Sequence, residues 1–115
     1  KFGKDVKIVR TMPNTPALVG EGMTGATPNE FVTEAELKYV CEILSGFSKV
    51  EVISEKLMDT VVAVSGSSPA YVFMFIEAMA DAAVEQGMPR AQAYKFAAQA
   101  VMGSAKMVLE NIRVS

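Results

Sequence analysis

"EKLMDTVVAVSGSSPAYVFMFIEAMADAAVEQG", residues 55–87, decides the fold. Read at helical period it gives one helix over 55–65 and a second over 68–87, with Gly66, Ser67, Ser68 and Pro69 at the break. Pro69 suits the first turn of the second helix, Ser67 or Ser68 its N-cap, and Gly87 the position just past its end. That helix is apolar almost all round; Glu77, Asp81 and Glu85, at i, i+4 and i+8, form its narrow polar stripe. Such a helix is buried on most sides. A third helix is expected over 89–111, with Pro89 in its first turn. It carries small residues at Ala91, Ala93, Ala97, Ala98, Ala100, Gly103 and Ala105, and a solvated face at Lys95, Gln99, Lys106 and Glu110. Three helices of this kind cannot cover one another alone, so an intersubunit helical bundle is expected.

Upstream the period changes. "DVKIVR" (5–10) alternates and is β-branched, which predicts a strand at about 6–11 that empties into "TMPNTPA" (11–17), stiffened by two prolines. "GMTGAT" (22–27) predicts a second strand, ended by Pro28. Thr33 followed by Glu36 is a capping box, and Ala35, Leu37, Val40, Cys41 and Leu44 continue it at helical spacing until Gly46. "KVEVISE" (49–55) predicts a third strand. The chain therefore divides near residue 55 into a β/α portion and an all-helical portion.

Composition removes several functions. The 115 residues contain no histidine, so no serine here can be activated by an imidazole, and hydrolytic triads and histidine-based zinc sites are excluded. Cys41 is the single cysteine; its place in a helical apolar pattern marks a buried structural thiol, and such cysteine usage suits a reducing compartment. A net charge of −2, spread along the chain, favours neither nucleic acid nor an anionic membrane. No apolar run is long enough to span a bilayer and no signal peptide is visible, so a soluble, cytoplasmic protein is expected. Half the residues are hydrophobic and eight are methionine, a surplus that points to a partner surface or to a missing part of the same protein. Lys1 is not an initiator methionine, and a fragment is the expectation.

Two motifs carry chemistry. "MPNTP" (12–16) lies at the carboxyl end of a predicted strand, where open α/β sheets place ligands, and Asn14 offers a donor and an acceptor suited to an amide edge. The competing reading is a proline-stiffened turn. "GSSP" (66–69) is read as a capped helix start whose free N–H groups could alternatively hold an anion; it is not a nucleophile elbow. Glu77, Asp81 and Glu85 read as a solvated stripe and not as metal ligands, so no metal is expected.

"VRTMPNTPALVGEGMT" (9–24) together with "LMDTVVAVSGSSPAYVFMFIEAMADAAVEQGMPRAQAYKFAAQAVMGSAKMVLE" (57–110) strongly resembles pyrroline-5-carboxylate reductase. The resemblance implies the α/β remnant of a dinucleotide-binding domain over residues 1–55. An incomplete all-α dimerisation and substrate domain would follow over 56–115, a helical bundle like the carboxy-terminal one of 6-phosphogluconate dehydrogenase. It implies NADPH or NADH as cofactor, 1-pyrroline-5-carboxylate as substrate, L-proline as product, and a homodimer that many members build into larger rings. Met12, Pro13 and Asn14 match the family loop beside the nicotinamide; Ser65, Gly66 and Ser67 match its "LSGSGPAY" turn beside the substrate. No catalytic residue is carried over. The family's Gly-rich pyrophosphate turn and its carboxylate-holding "SPGGTT"-like segment are not in these residues, so the piece alone is expected to be inactive. Two departures stand out. Ser68 replaces a family glycine, which would strain the turn if that position needed a positive φ and would not if it were extended; and "ENIRVS" (110–115) leaves the family pattern. The alternative function is a non-catalytic helical oligomerisation module of a related imine or hydroxyacid reductase.

Overall fold

A computed structural model describes residues 5–111; the departure from the family pattern after Asn111 lies outside them. The chain forms two compact units, Lys1–Pro69 and Ala70–Ser115.

The first unit is built on a three-stranded sheet in the order β1 (Val9–Met12), β2 (Gly22–Pro28), β3 (Ser48–Val52). β1 runs antiparallel to β2, with Val9 opposite Pro28 and Met12 opposite Gly25. β3 runs parallel to β2, with Gly22 opposite Ser48 and Ala26 opposite Val52. A parallel pair needs a crossover, and α1 (Glu34–Leu44) supplies it. Its start is the expected capping box: Thr33 Oγ1 accepts from the Glu36 N–H at 3.2 Å, and Glu36 Oε1 accepts from the Thr33 N–H at 2.9 Å. Lys7 donates to the other Glu36 oxygen at 2.7 Å. That bond first, and the Thr33 N–H second, hold the Glu36 carboxyl at about 2 against its ordinary 4.5.

Thr24, Gly25, Ala26 and Thr27 are buried in succession. Neighbouring side chains in a strand point to opposite faces, so both faces of β2 are covered. The Thr24 and Ser48 hydroxyls share a hydrogen bond of 2.6 Å, which satisfies two buried polar groups across the parallel pair. Beside Gly25 stand Ile53 and Val61: a Cβ there would lie 3.2 Å from Ile53 Cδ1 and 3.3 Å from Val61 Cγ1. The strand's lack of a side chain at this point is what seats the segment after β3.

That segment is a 3₁₀ turn (Glu55–Leu57), a short α2 (Met58–Val61) and a π-turn (Val62–Gly66), followed by α3 (Ser68–Glu85). Met58, 1% exposed, is the largest buried apolar side chain of the unit. Strand boundaries differ from the expected ones at the free ends. β1 starts at Val9, where pairing with Pro28 begins, and β3 stops at Val52, where its pairing with Ala26 stops.

The second unit contains the body of α3 and α4 (Arg90–Leu109). α3 ends as the sequence expects: Gly87 takes φ +101°, its N–H bonds the Val84 carbonyl, and the Met88 N–H bonds the Ala83 carbonyl. Pro89 is the N-cap of α4 and not a first-turn residue; its carbonyl accepts from Ala93. Arg90 bridges to Asp81 at 2.8 Å and lies over the Tyr94 ring. The buried residues described in this unit are Ala80, Ala93 and Ala97, whereas Tyr71, Phe73, Met74, Phe75, Phe96 and Met102 are 58–67% exposed. This pair of helices has no large side chain to close on.

Candidate functional site

The two sequence motifs meet inside the first unit. β1 ends at Met12, the chain passes through exposed Pro13 to half-buried Asn14, and a 3₁₀ turn (Thr15–Val19) follows with Pro16 near its start. The Asn14 carbonyl closes that turn by accepting from Ala17, and Gly20, at φ +75°, ends it. The Asn14 side chain then bridges two elements. Its Oδ1 accepts from the Met23 N–H of β2 at 2.8 Å, and its Nδ2 donates to the Ser65 carbonyl of the π-turn at 3.1 Å. Met12, Pro13 and Asn14 are thereby brought beside Ser65, Gly66 and Ser67. Arg10 and Glu55 add an exposed ion pair between β1 and the start of the same helical segment.

The Ser65–Pro69 region differs from its expected form. α3 starts at Ser68 as expected, with Pro69 in its first turn, but no side-chain hydrogen bond of Ser67 or Ser68 caps it. Ser67 is a bend between the π-turn and α3, and its N–H bonds the Val62 carbonyl, five residues back, at 2.9 Å. The physical cause is Pro69. A proline inside a helix has no N–H and its ring crowds the carbonyl four residues back; widening one turn makes room. Ser68 belongs to α3, and the positive-φ non-glycine residues described are Asp5 and Asn111, so its replacement of glycine brings no strain.

The serine hydroxyls are not poised as nucleophiles. Ser65 Oγ donates to the Val61 carbonyl at 3.1 Å, a local bond along its own helix. Residues 12–14 and 65–67 contain no group that titrates near neutrality, so this cluster can position and hydrogen-bond but cannot exchange protons as an acid or base. Among the described residues no group of histidine, cysteine, aspartate and glutamate could hold a metal ion.

For a nicotinamide, the donor set fits on one side. Asn14 spends one N–H and one lone pair on the protein and keeps one of each, which matches an amide edge, and Pro13 is exposed beside it. For a pyrophosphate it does not. Residues 20–25, "GEGMTG", spell the G-x-G-x-x-G pattern but lead into a strand and not a helix, and two of the three glycines are there for packing. A Cβ on Gly22 would stand 2.7 Å from Ser48 Oγ, and one on Gly25 would press on Ile53 and Val61. The Asn14 bridge itself was not readable from periodicity; the available signal was a proline four residues after Ser65, which leaves a carbonyl without its helical partner.

The family model for pyrroline-5-carboxylate reductase dimerisation matches residues 55–115. The chain is 69% identical over 109 residues to the pyrroline-5-carboxylate reductase of Escherichia coli strain K12, covering 95% of this chain and 40% of that protein. It is similar in structure to a pyrroline-5-carboxylate reductase from Coxiella burnetii, with a TM-score of 0.89 and 37% identity over 97% of this chain and 42% of that one. The Plasmodium falciparum pyrroline carboxylate reductase with NADP bound gives a TM-score of 0.85 and 39% identity over 98% of this chain and 49% of that one. The chain thus spans 40% of the length of the first curated relatives it matches.

Proposed function

Because the chain belongs to the pyrroline-5-carboxylate reductase family, we propose that it is part of an enzyme that reduces 1-pyrroline-5-carboxylate to L-proline. The observation that carries the reading is the Asn14 bridge, which sets the Met12–Asn14 loop against the Ser65–Ser67 turn. Met12, Pro13 and Asn14 form the wall beside the nicotinamide, and Ser65, Gly66 and Ser67 the wall beside the imine. Bound NADPH supplies the hydride that reaches the imine carbon. The residues here hold the two reactants in register and exclude water, and positioning of this kind is worth several orders of magnitude in rate. The proton for the ring nitrogen comes from solvent, from the substrate or from elsewhere in the parent, because neither wall carries an acid.

NADPH is favoured over NADH by the NADP in the Plasmodium falciparum structure. Residues 1–55 are assigned to the dinucleotide-binding domain and 56–115 to the helical one, a division supported by the family model's start at residue 55. Homo-oligomerisation follows from the dimerisation family and from the bare apolar faces of α3 and α4. Within the run Glu55–Glu85 a window of 18 residues is long and apolar enough, by length and composition alone, to cross a membrane. A partner subunit accounts for the same apolar surface, and a cytoplasmic location goes with that reading. Residues 5–111 offer no phosphate cradle, so the piece alone is assigned no turnover.

The test is the full-length parent assayed at 340 nm with 1-pyrroline-5-carboxylate and NADPH. Oxidation of NADPH dependent on the imine is expected; its absence overturns the assignment. Light scattering on the 115-residue piece separates the second reading, a pure oligomerisation module. That reading needs a dimer indifferent to cofactor in a parent that reduces no imine.

A further inference from the structure

Asn14 reaches a carbonyl that an ordinary helix would have kept for itself. In an α-helix the Ser65 carbonyl would accept from the N–H of residue 69, and residue 69 is a proline. No helical hydrogen bond spans Ser67, a bend between the π-turn and α3, so the N–H groups of residues 68 and 70 do not compete with Asn14 for this carbonyl. The carbonyl is part-buried, so leaving it bare is unfavourable, and the Asn14 amide fills the vacancy at 3.1 Å. The other end of the same planar amide is fixed by the Met23 N–H, whose strand is held between β1 and β3. A rigid group pinned at both ends sets a distance; a flexible one would not.

We propose that Pro69 and Asn14 act as one positioning device: Pro69 withholds the donor that would occupy the Ser65 carbonyl, and Asn14, docked on that carbonyl, fixes the separation of the cofactor-side loop from the substrate-side turn. Its catalytic consequence rests on the reductase reading above; the device itself does not. Asn14 is on this view a positioning residue through its bonded N–H, whatever its free N–H and lone pair contact.

Two substitutions in the full-length protein test it. Asn14→Asp keeps the acceptor for Met23 and loses the donor for Ser65. Pro69→Ala restores an N–H that can take the Ser65 carbonyl and leaves Asn14 untouched. Urea denaturation of wild type, both single variants and the double variant is expected to show coupling: Asn14→Asp destabilises when residue 69 is proline, and clearly less when it is alanine. Additive effects overturn the device, whether or not the protein is a reductase. In kinetics, each single variant is expected to lower kcat by about tenfold or more, with the KM for NADPH changed less than about twofold and the double variant no slower than Asn14→Asp alone. A fall in NADPH affinity that accounts for the whole loss would make Asn14 a cofactor contact only and overturn the positioning role. If stability coupling is present and the wild-type parent reduces no pyrroline-5-carboxylate, the device stands and the reductase reading falls.

Discussion

Gly22 is the position where adding a single methyl group should do most damage to the sheet unit. A Cβ there would lie 2.7 Å from Ser48 Oγ, 2.8 Å from Ala17 Cβ and 2.9 Å from Ala17 Cα. Comfortable separation is about 3.5–4.0 Å, so each neighbour must retreat by close to 1 Å. Ala17 has no rotamer to change, and its backbone belongs to the 3₁₀ turn that follows Asn14. Ser48 could rotate, but its hydroxyl is the partner of Thr24 Oγ1 at 2.6 Å, and Thr24 is fully buried. Breaking that bond costs about 1–3 kcal/mol, and forcing the backbone apart about 1–3 kcal/mol. Against this, replacing glycine by alanine restricts the unfolded chain and returns about 0.4–1 kcal/mol. Gly22→Ala is therefore expected to destabilise by about 1–5 kcal/mol in urea denaturation followed by circular dichroism, the net of those terms. Gly25→Ala, whose new contacts of 3.2–3.4 Å are with side-chain tips, should cost less. A loss below about 0.5 kcal/mol for Gly22→Ala, within the range of ordinary surface changes, would refute the reasoning.

Thr33→Ala removes one half of the capping box and is expected to cost about 1 kcal/mol, read by thermal unfolding. Glu36 gives the acid limb a defined sign: its folded pKa lies below the ordinary value, so its contribution is complete above about 4.5 and is lost as pH falls towards about 2. The stability difference between wild type and Glu36→Gln should shrink over that interval; a difference constant across it would remove the Lys7 and Thr33 bonds as the cause. Phe75→Glu, on the bare face of α3, should shift light-scattering mass towards monomer, and the helical signal at 222 nm of the wild-type piece should fall on dilution. Unchanged mass and a concentration-independent signal would place the apolar face elsewhere than at a partner.

What could be read from the sequence was whatever repeats or caps. The Thr33–Glu36 box, the Gly87 terminus and the small-residue pattern of α4 are each local, and local chemistry fixes them whatever the surroundings. The helix start at Ser68, with Pro69 in its first turn, was legible, but the π-turn before it was not. A proline that opens a helix also crowds the turn ahead of it, and that distortion lies in the bonds of Val62–Gly66 and not in residues 67–69. Gly46 shows the same limit: α1 ends at Leu44 with Ser45 in right-handed geometry, so the glycine beyond it serves no left-handed cap. Of the site, the two motifs were visible as separate loops. Their meeting was not, because the Asn14 bridge joins residues 51 apart through a backbone carbonyl, and no side-chain pattern marks a carbonyl as free.

The burial pattern of α3 and α4 makes their folding and their association one equilibrium. Within this chain the pair closes on Ala80, Ala93 and Ala97, which bury little apolar area. Tyr71, Phe73, Met74 and Phe75, within five residues of α3, remain 58–67% exposed. Moving such a side chain out of water is worth about 1.5–3 kcal/mol, so covering even these four is worth as much as the net stability of many whole domains. Isolated helices of this length gain most of their stability from the apolar face they pack, and here that face is offered outward. A partner that binds the folded pair and not the unfolded chain therefore adds its binding energy directly to folding. Loss of helix on dilution follows from that linkage, and so does the tolerance of a nearly all-apolar helix in a helical pair whose buried residues are alanines.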